Sequence, residues 1–315
     1  MRIVFMGTPE FSVPALEYLV KSEYRVVGVY TQPDRPTGRG RTLEQSPVKK
    51  VALEHSLEVF QPVGLRNTDE VQRLAALRPD LILVSAFGKI LPQDILDMPP
   101  FGCLNIHPSL LPKYRGATPI PSAILGGDSE TGVTIMLMDT GMDTGPIVSQ
   151  IIVGIEPQDT TESLSNRLAQ AGVRVLAETL PLWFDRSLKT QPQDGTKVTY
   201  TAPITKEEGV INWQMSAEEI SRRVRAFYPW PGCYTWWQGK LLKILEAVAL
   251  HNKRESLPGR VIALAPGQPA VVGVETGDRI LGLLRVQLEG KRALTAAEFL
   301  SGQRTFVGSI LGGKG

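Results

Sequence analysis

The feature that most constrains this chain is the alternation of short apolar runs with helix-spaced ones through its first 180 residues. Arg2–Met6 is a near-continuous apolar run ending at Gly7 and reads as a buried strand. Pro14–Lys21 carries Leu16, Leu19 and Val20 at helical spacing. Further strands are expected at Arg25–Tyr30, Leu57–Phe60, Leu81–Ser85, Cys103–Ile106 and Val133–Met138. Ile147–Ile155 is expected to return antiparallel. Between them, Ser46 and Pro47 open a helix through His55, Thr68 caps another through Leu77, and Thr161–Leu180 is a third. Repeated strand–helix units predict a Rossmann-like, mostly parallel sheet covered on both faces.

After Leu180 the pattern changes. Gln191–Ile204 is polar and rich in Pro, Gly and Thr, and reads as a linker. Ser216 and Glu219 form a capping box for a helix from about Ala217 to Phe227. Five strand-like runs follow: Tyr234–Trp237, Leu241–Ala249, Arg260–Leu264, Ala270–Val274 and Ile280–Val286. Thr295 and Glu298 make a second capping box. Short strands after one helix predict a small, OB-like β-barrel. The expected domains are 1–189 and 206–315, joined by a linker at 190–205. Trp230, Trp236 and Trp237 are expected to pack in that barrel rather than to stack nucleic-acid bases.

Charge is uneven. Residues 206–315 hold 15 Lys+Arg against 10 Asp+Glu, and residues 1–205 hold the other 19 against 22. A mildly basic C-terminal part suits a polyanionic partner, though uneven surface charge alone gives the same counts. Cys103 and Cys233 form no disulfide framework. His55, His107 and His251 are scattered, so no metal is expected. The opening MRIVFMG reads as a strand rather than a signal peptide, and no apolar run approaches a membrane span. The expected location is the cytoplasm, and the expected state a monomer.

Two segments carry chemistry. In NIHPSLLP (105–112), Asn105 and His107 lie two residues apart on a strand and so share a face; Pro108 then ends the strand. An amide and an imidazole are thus offered at the carboxyl end of a strand, where open α/β sheets hold ligands. Two converging donors suit an oxyanion. In MDTGMDTGP (138–146), Asp139 and Asp143 sit beside glycines. A carboxylate near His107 would fix its tautomer and raise its pKa. Taken singly, the first segment also fits a strand end satisfying backbone groups, and the second an ordinary turn.

Together they resemble the folate-dependent formyltransferases, whose signature pairs Asn-x-His-x-Ser-Leu-Leu-Pro with a downstream Asp-x-Gly-x-Asp-x-Gly loop. The openings GTPEFSVPAL (7–16), TQPDRPTGRGR (31–41), SPVK (46–49) and the helix end RAFYPWPG (225–232) are similar to the branch that formylates methionyl-tRNA. The likeness covers nearly the whole chain.

It implies transfer of the formyl group of 10-formyltetrahydrofolate to the amine of initiator methionyl-tRNA, by direct acyl transfer through a tetrahedral intermediate. It implies Asn105, His107 and Asp143 as the catalytic set. It implies a folate pocket lined by Phe87, Gly88, Lys89, Ile90, Leu91, Ser109, Leu110, Leu111, Pro112 and Asp139. It also implies tRNA contacts from Arg35, Arg39, Arg41 and Lys49, with Arg39 entering the acceptor end. Thr42–Gln45 departs from the pattern, where more basic residues are expected. The remaining alternative within the family is another amine acceptor. A nucleotide-binding dehydrogenase is disfavoured, because the first loop reads Met6-Gly7-Thr8-Pro9-Glu10 and lacks Gly-x-Gly-x-x-Gly.

Overall fold

The computed structural model describes residues 1–37, 42–250 and 257–313. They form two compact units. The first takes in 1–119, 129–154 and 165–201; the second takes in 120–128, 155–164 and the chain from Ala202 onward.

The first unit is built on a seven-stranded sheet. Its strands are β1 (Arg2–Gly7), β2 (Arg25–Tyr30), β3 (Val59–Phe60), β4 (Leu81–Ser85), β5 (Cys103–His107), β6 (Glu130–Leu137) and β7 (Ile147–Gly154). Their order is β7-β6-β5-β4-β1-β2-β3. β1 to β5 are mutually parallel; β6 and β7 close the sheet antiparallel. The apolar runs of β1 and β4 are buried along almost their whole length, as expected for strands covered on both faces. The chain lays β2 and β3 on one side of β1 and then returns to place β4 on the other. In open α/β sheets, ligands bind at such a reversal, outside the carboxyl ends of the central strands.

Helices α1 (Val13–Lys21), α2 (Pro47–Glu54) and α3 (Thr68–Ala76) connect these strands. The Ser46 side chain accepts from the Lys49 N–H at the start of α2, with Pro47 at the first position. Asn67, not Thr68, caps α3, accepting from the Asp69 N–H. Both residues suit a cap, and Asn67 sits one position nearer the strand. Helix α4 (Pro119–Gly126) falls almost wholly in the second unit.

Helix α5 (Thr161–Phe184) runs past the expected stop at Leu180 and carries Pro181 inside it. Its last turn is held by packing: Trp183 donates from Nε1 to the Phe101 carbonyl at 2.9 Å, and Phe184 lies against Tyr24 and Phe101. Tertiary contacts there outweigh the penalty of an internal proline. The Pro-, Gly- and Thr-rich stretch that follows is woven into this unit. Gln191 bridges Ile147, and Tyr200–Thr201 pair in parallel with Arg115–Gly116.

The second unit is a curled antiparallel half-barrel. β8 (Cys233–Trp237), β9 (Lys240–Leu250), β10 (Val261–Ala263), β11 (Val272–Glu275) and β12 (Ile280–Leu288) follow the order β8-β9-β12-β11-β10, and β13 (Leu294–Thr295) adds to β12. Both capping boxes form, on α6 (Ala217–Ala226) and α7 (Ala296–Gly302). Trp237 is buried against Phe299 and Phe306 in a three-ring cluster. Trp236 meets Tyr234 edge-on. Trp230 departs from the expected packing: it is 60% exposed, in a turn between cis prolines 229 and 231. Among the described residues no helix is long and apolar enough to cross a membrane.

Candidate active site

Asn105 and His107 end β5, opposite Met136 and Thr134 of β6. The ring of His107 is enclosed, with the residue only 4% exposed. Its Nε2 lies 3.1 Å from the Tyr114 carbonyl oxygen. A carbonyl only accepts, so Nε2 carries the proton and donates. Its Nδ1 faces Asp143 Oδ2 at 3.7 Å, too far for a direct hydrogen bond. Burial pushes the His107 pKa below the ordinary imidazole value; the Asp143 carboxylate and the Tyr114 carbonyl pull it upward and are outweighed. The sequence led to the opposite expectation, a cationic ring held by its carboxylate. The neutral ring instead keeps a lone pair on Nδ1, able to take a proton. The amide of Asn105 has no hydrogen-bond partner among the described residues and is only partly buried.

Asp143 arrives from the loop after β6. Its backbone is left-handed, φ 54°, a region that Asp tolerates better than most residues. Its Oδ2 accepts from the Gly116 N–H at 2.8 Å. The next glycine, Gly145, is required by space, since a Cβ there would overlap the Leu137 carbonyl. Asp139, from the same loop, is engaged locally. Its Oδ1 accepts from the Gly141 N–H at 3.0 Å and the Thr144 hydroxyl at 2.6 Å.

The Ser109–Pro112 turn is pinned by one hydroxyl. Thr134 Oγ1 donates to the Ser109 carbonyl and accepts from the Leu111 N–H and from Gln150 Nε2. Gln150 also donates to the Leu111 carbonyl, and the Ser109 hydroxyl donates to the Lys113 carbonyl. Leu111 is buried and its peptide bond to Pro112 is cis; Leu110 is half-buried beside Gly132.

After β4, Phe87 and Leu91 are buried while Ile90 is 77% exposed. The Phe87 carbonyl accepts from Thr8 Oγ1 and Gln32 Nε2. Gly88 takes φ 76°, and Lys89 donates from Nζ to the Val63 carbonyl at 2.6 Å. The two stretches expected to line one pocket thus follow neighbouring strands, β4 and β5, at the same end of the sheet.

The basic loop divides differently. Arg35 is exposed and its guanidinium donates to Gln32 Oε1. Lys49 is engaged: its Nζ meets Asp34 Oδ2 at 2.6 Å and Gln61 Oε1 at 2.8 Å. The Lys49 contact and a second from Gln61 Nε2, which donates to Asp34 Oδ1 at 2.8 Å, hold the Asp34 carboxyl below its usual range. Arg39 and Arg41 lie outside the described residues. Among the described residues no group of three or more His, Cys, Asp or Glu could hold a metal ion.

Sequence reading missed the supports of this site: the Tyr114 carbonyl, the Gly116 N–H, Thr134, Gln150, and Gln193 with Arg115. Gln193 donates from Nε2 to the carbonyls of Asp143 (2.8 Å) and Gly145 (2.7 Å), and its Oε1 accepts from Arg115. No pattern marks a single glutamine in a polar stretch as a clamp.

Residues 1–180 match the formyl transferase family, and residues 203–304 match the formyl transferase C-terminal domain. The methionyl-tRNA formyltransferase of Dehalococcoides mccartyi is 49% identical over 312 residues, covering 99% of this chain and 98% of that one. That of Methylococcus capsulatus is 48% identical over 301 residues, covering 96% of each. Among solved structures, HypX from Aquifex aeolicus in complex with tetrahydrofolic acid has the same fold, with a TM-score of 0.62 at 19% identity. That alignment covers 98% of this chain, which spans only 48% of HypX. The chain belongs to the methionyl-tRNA formyltransferase family of formyl transferases.

Proposed function

We propose that this protein transfers the formyl group of 10-formyltetrahydrofolate to the free amine of methionyl-initiator tRNA. The observation that carries the reading is the meeting of the His107 ring and the Asp143 carboxylate, from separate segments, beside the uncommitted Asn105 amide. Near-half identity to methionyl-tRNA formyltransferases along the whole chain supports the choice of acceptor. When bound, the folate supplies a formyl group activated on N10.

The residues present fit such a donor. Asn105 offers amide N–H groups that no described residue takes up, and the buried Phe87, Leu91 and Leu111 with the exposed Ile90 offer apolar contact. Phe87–Leu91 and Ser109–Pro112 would hold the folate; Asp139 is assigned to shaping the loop beneath it. Asn105 stabilises the formyl oxygen as it gains charge, a contribution of about 2.7–4 kcal/mol for one well-placed donor. His107, neutral at its Nδ1, takes the proton that the attacking amine loses and returns it to the departing nitrogen. While protonated, the ring lies between two acceptors, the Asp143 carboxylate and the Tyr114 carbonyl. The transfer therefore needs no net change in the protein.

Arg35, Arg39 and Arg41 are assigned to phosphates of the tRNA acceptor end, where Arg gives forked contacts. Lys49 is assigned to bracing the base of that loop through Asp34. The deciding experiment supplies 10-formyltetrahydrofolate with initiator methionyl-tRNA, with free methionine, or with an amino-sugar nucleotide. Transfer to the charged tRNA alone is expected; equal or better transfer to another amine overturns the reading.

A further inference from the structure

Asp143 has no support inside its own loop for the direction its carboxylate takes. Within the loop Asp139 holds the Thr144 hydroxyl and leaves the Asp143 carboxylate unheld. Two groups outside the loop fix it. The Gly116 N–H holds the carboxylate itself. Gln193 holds the backbone on both sides of Thr144, with one amide nitrogen donating to the carbonyls of Asp143 and Gly145. The orientation of that amide is fixed in turn: Oε1 accepts from Arg115 Nε at 3.1 Å and Nη2 at 2.8 Å, and Arg115 is buried. A flipped amide would set its nitrogen against the guanidinium and its oxygen against two carbonyls, so only one orientation is stable. The backbone of Arg115–Gly116 is itself held by pairing with Tyr200–Thr201, and the Tyr114 N–H donates to Thr199 Oγ1 at 2.8 Å.

We propose that Gln193, set by Arg115, is a positioning residue for formyl transfer: its amide clamps the Asp143 loop so that the carboxylate faces His107. It touches neither substrate nor His107 and acts only through Asp143. The stretch from Gln191 to Thr201 is thereby part of the catalytic end, supplying the clamp on Asp143 and the strand that fixes both the Tyr114 carbonyl and the Gly116 N–H. The proposal rests on the function given above, and its test separates the two.

The test compares Gln193→Glu with Gln193→Ala. Glutamate keeps an acceptor for Arg115 but has no N–H for the two carbonyls, so it removes the clamp while leaving the buried arginine paired. Formyl transfer to methionyl-tRNA is measured for kcat and for KM of each substrate, and the His107 imidazole is titrated by nitrogen-edited NMR. Both variants should lose kcat about tenfold or more, with each KM within twofold of the wild type. The His107 midpoint should move to lower pH, because the carboxylate that raises it no longer faces it. The groups facing that ring are Asp143 and the Tyr114 carbonyl; because glutamate at 193 adds a negative charge that itself raises the midpoint, the shift is read in Gln193→Ala, where only Asp143 changes. A Gln193→Glu enzyme with kcat within twofold of wild type overturns the proposal. So does a loss of kcat with an unmoved His107 midpoint in Gln193→Ala, which would mark a merely structural role. If the wild type transfers no formyl group, the function reading fails, and the NMR shift alone still decides whether the clamp exists.

Discussion

The tripeptide Asp-Thr-Gly occurs twice in succession, at 139–141 and 143–145, and the two copies do different work. The acid of the first is satisfied within the loop: Asp139 accepts from the Gly141 N–H of its own copy and from the Thr144 hydroxyl of the next, and shapes the turn between them. The acid of the second is held from outside the loop, by Gly116 and through the Gln193 clamp, and turns its carboxylate toward His107. Identical local sequence thus yields one self-satisfied acid and one available acid. The difference lies in what the rest of the sheet end brings to each copy, which no reading of the loop alone could supply.

The sharpest way to break this comparison is to neutralise each acid in turn. Asp143→Asn should lower kcat by about a thousandfold, in the range lost when proton transfer through a positioned group is disabled, with little change in either KM. Asp139→Asn keeps the oxygen that both donors use, so its kcat should stay within about threefold, with at most about 1 kcal/mol lost in chemical unfolding. Comparable losses of kcat in the two variants would erase the distinction between the copies.

A pH profile sharpens it further. With the His107 pKa lowered by burial, the acid limb of kcat/KM should fall below the ordinary value near 6.5, because activity needs the neutral ring. In Asp143→Asn the residual limb should move lower still, and in Asp139→Asn it should stay. The same group gives a stability effect of known sign. Below about pH 6.5 the unfolded chain binds a proton at His107 more readily than the folded one, so stability should fall as pH drops through that window. His107→Asn should flatten that part of the curve in urea unfolding. Smallest of all, Lys49→Ala should raise the KM for methionyl-tRNA only about twofold to threefold, by loosening Asp34 rather than by losing a phosphate contact.

Much of the fold was legible because its signals are local. Buried parallel strands announce themselves as apolar runs, and the caps at Ser46, Ser216 and Thr295 depend on residues three positions away. The departures came where distant parts decide. Helix α5 passes Pro181 because Phe101 anchors Trp183. Trp230 stays exposed while Trp237, a few residues on, fills a core. The candidate site follows the same division. Asn105 and His107 are set by strand alternation, and the acid loop by its motif. The carboxylate that raises the His107 pKa is legible in the acid loop, whereas the burial that outweighs it is a property of the folded site and has no local sequence signal. Lys49, which the resemblance implies as a tRNA contact, is bound to Asp34 and Gln61 in the fold.

The most direct test concerns Asn105. Its amide makes no hydrogen bond to any described residue, so the fold should not miss it, whereas the reaction should. Single-turnover formyl transfer by Asn105→Ala, with folate and methionyl-tRNA both saturating, should slow by at least about a hundredfold while the melting temperature holds. A normal single-turnover rate would contradict the placement of the reacting carbon at the end of β5.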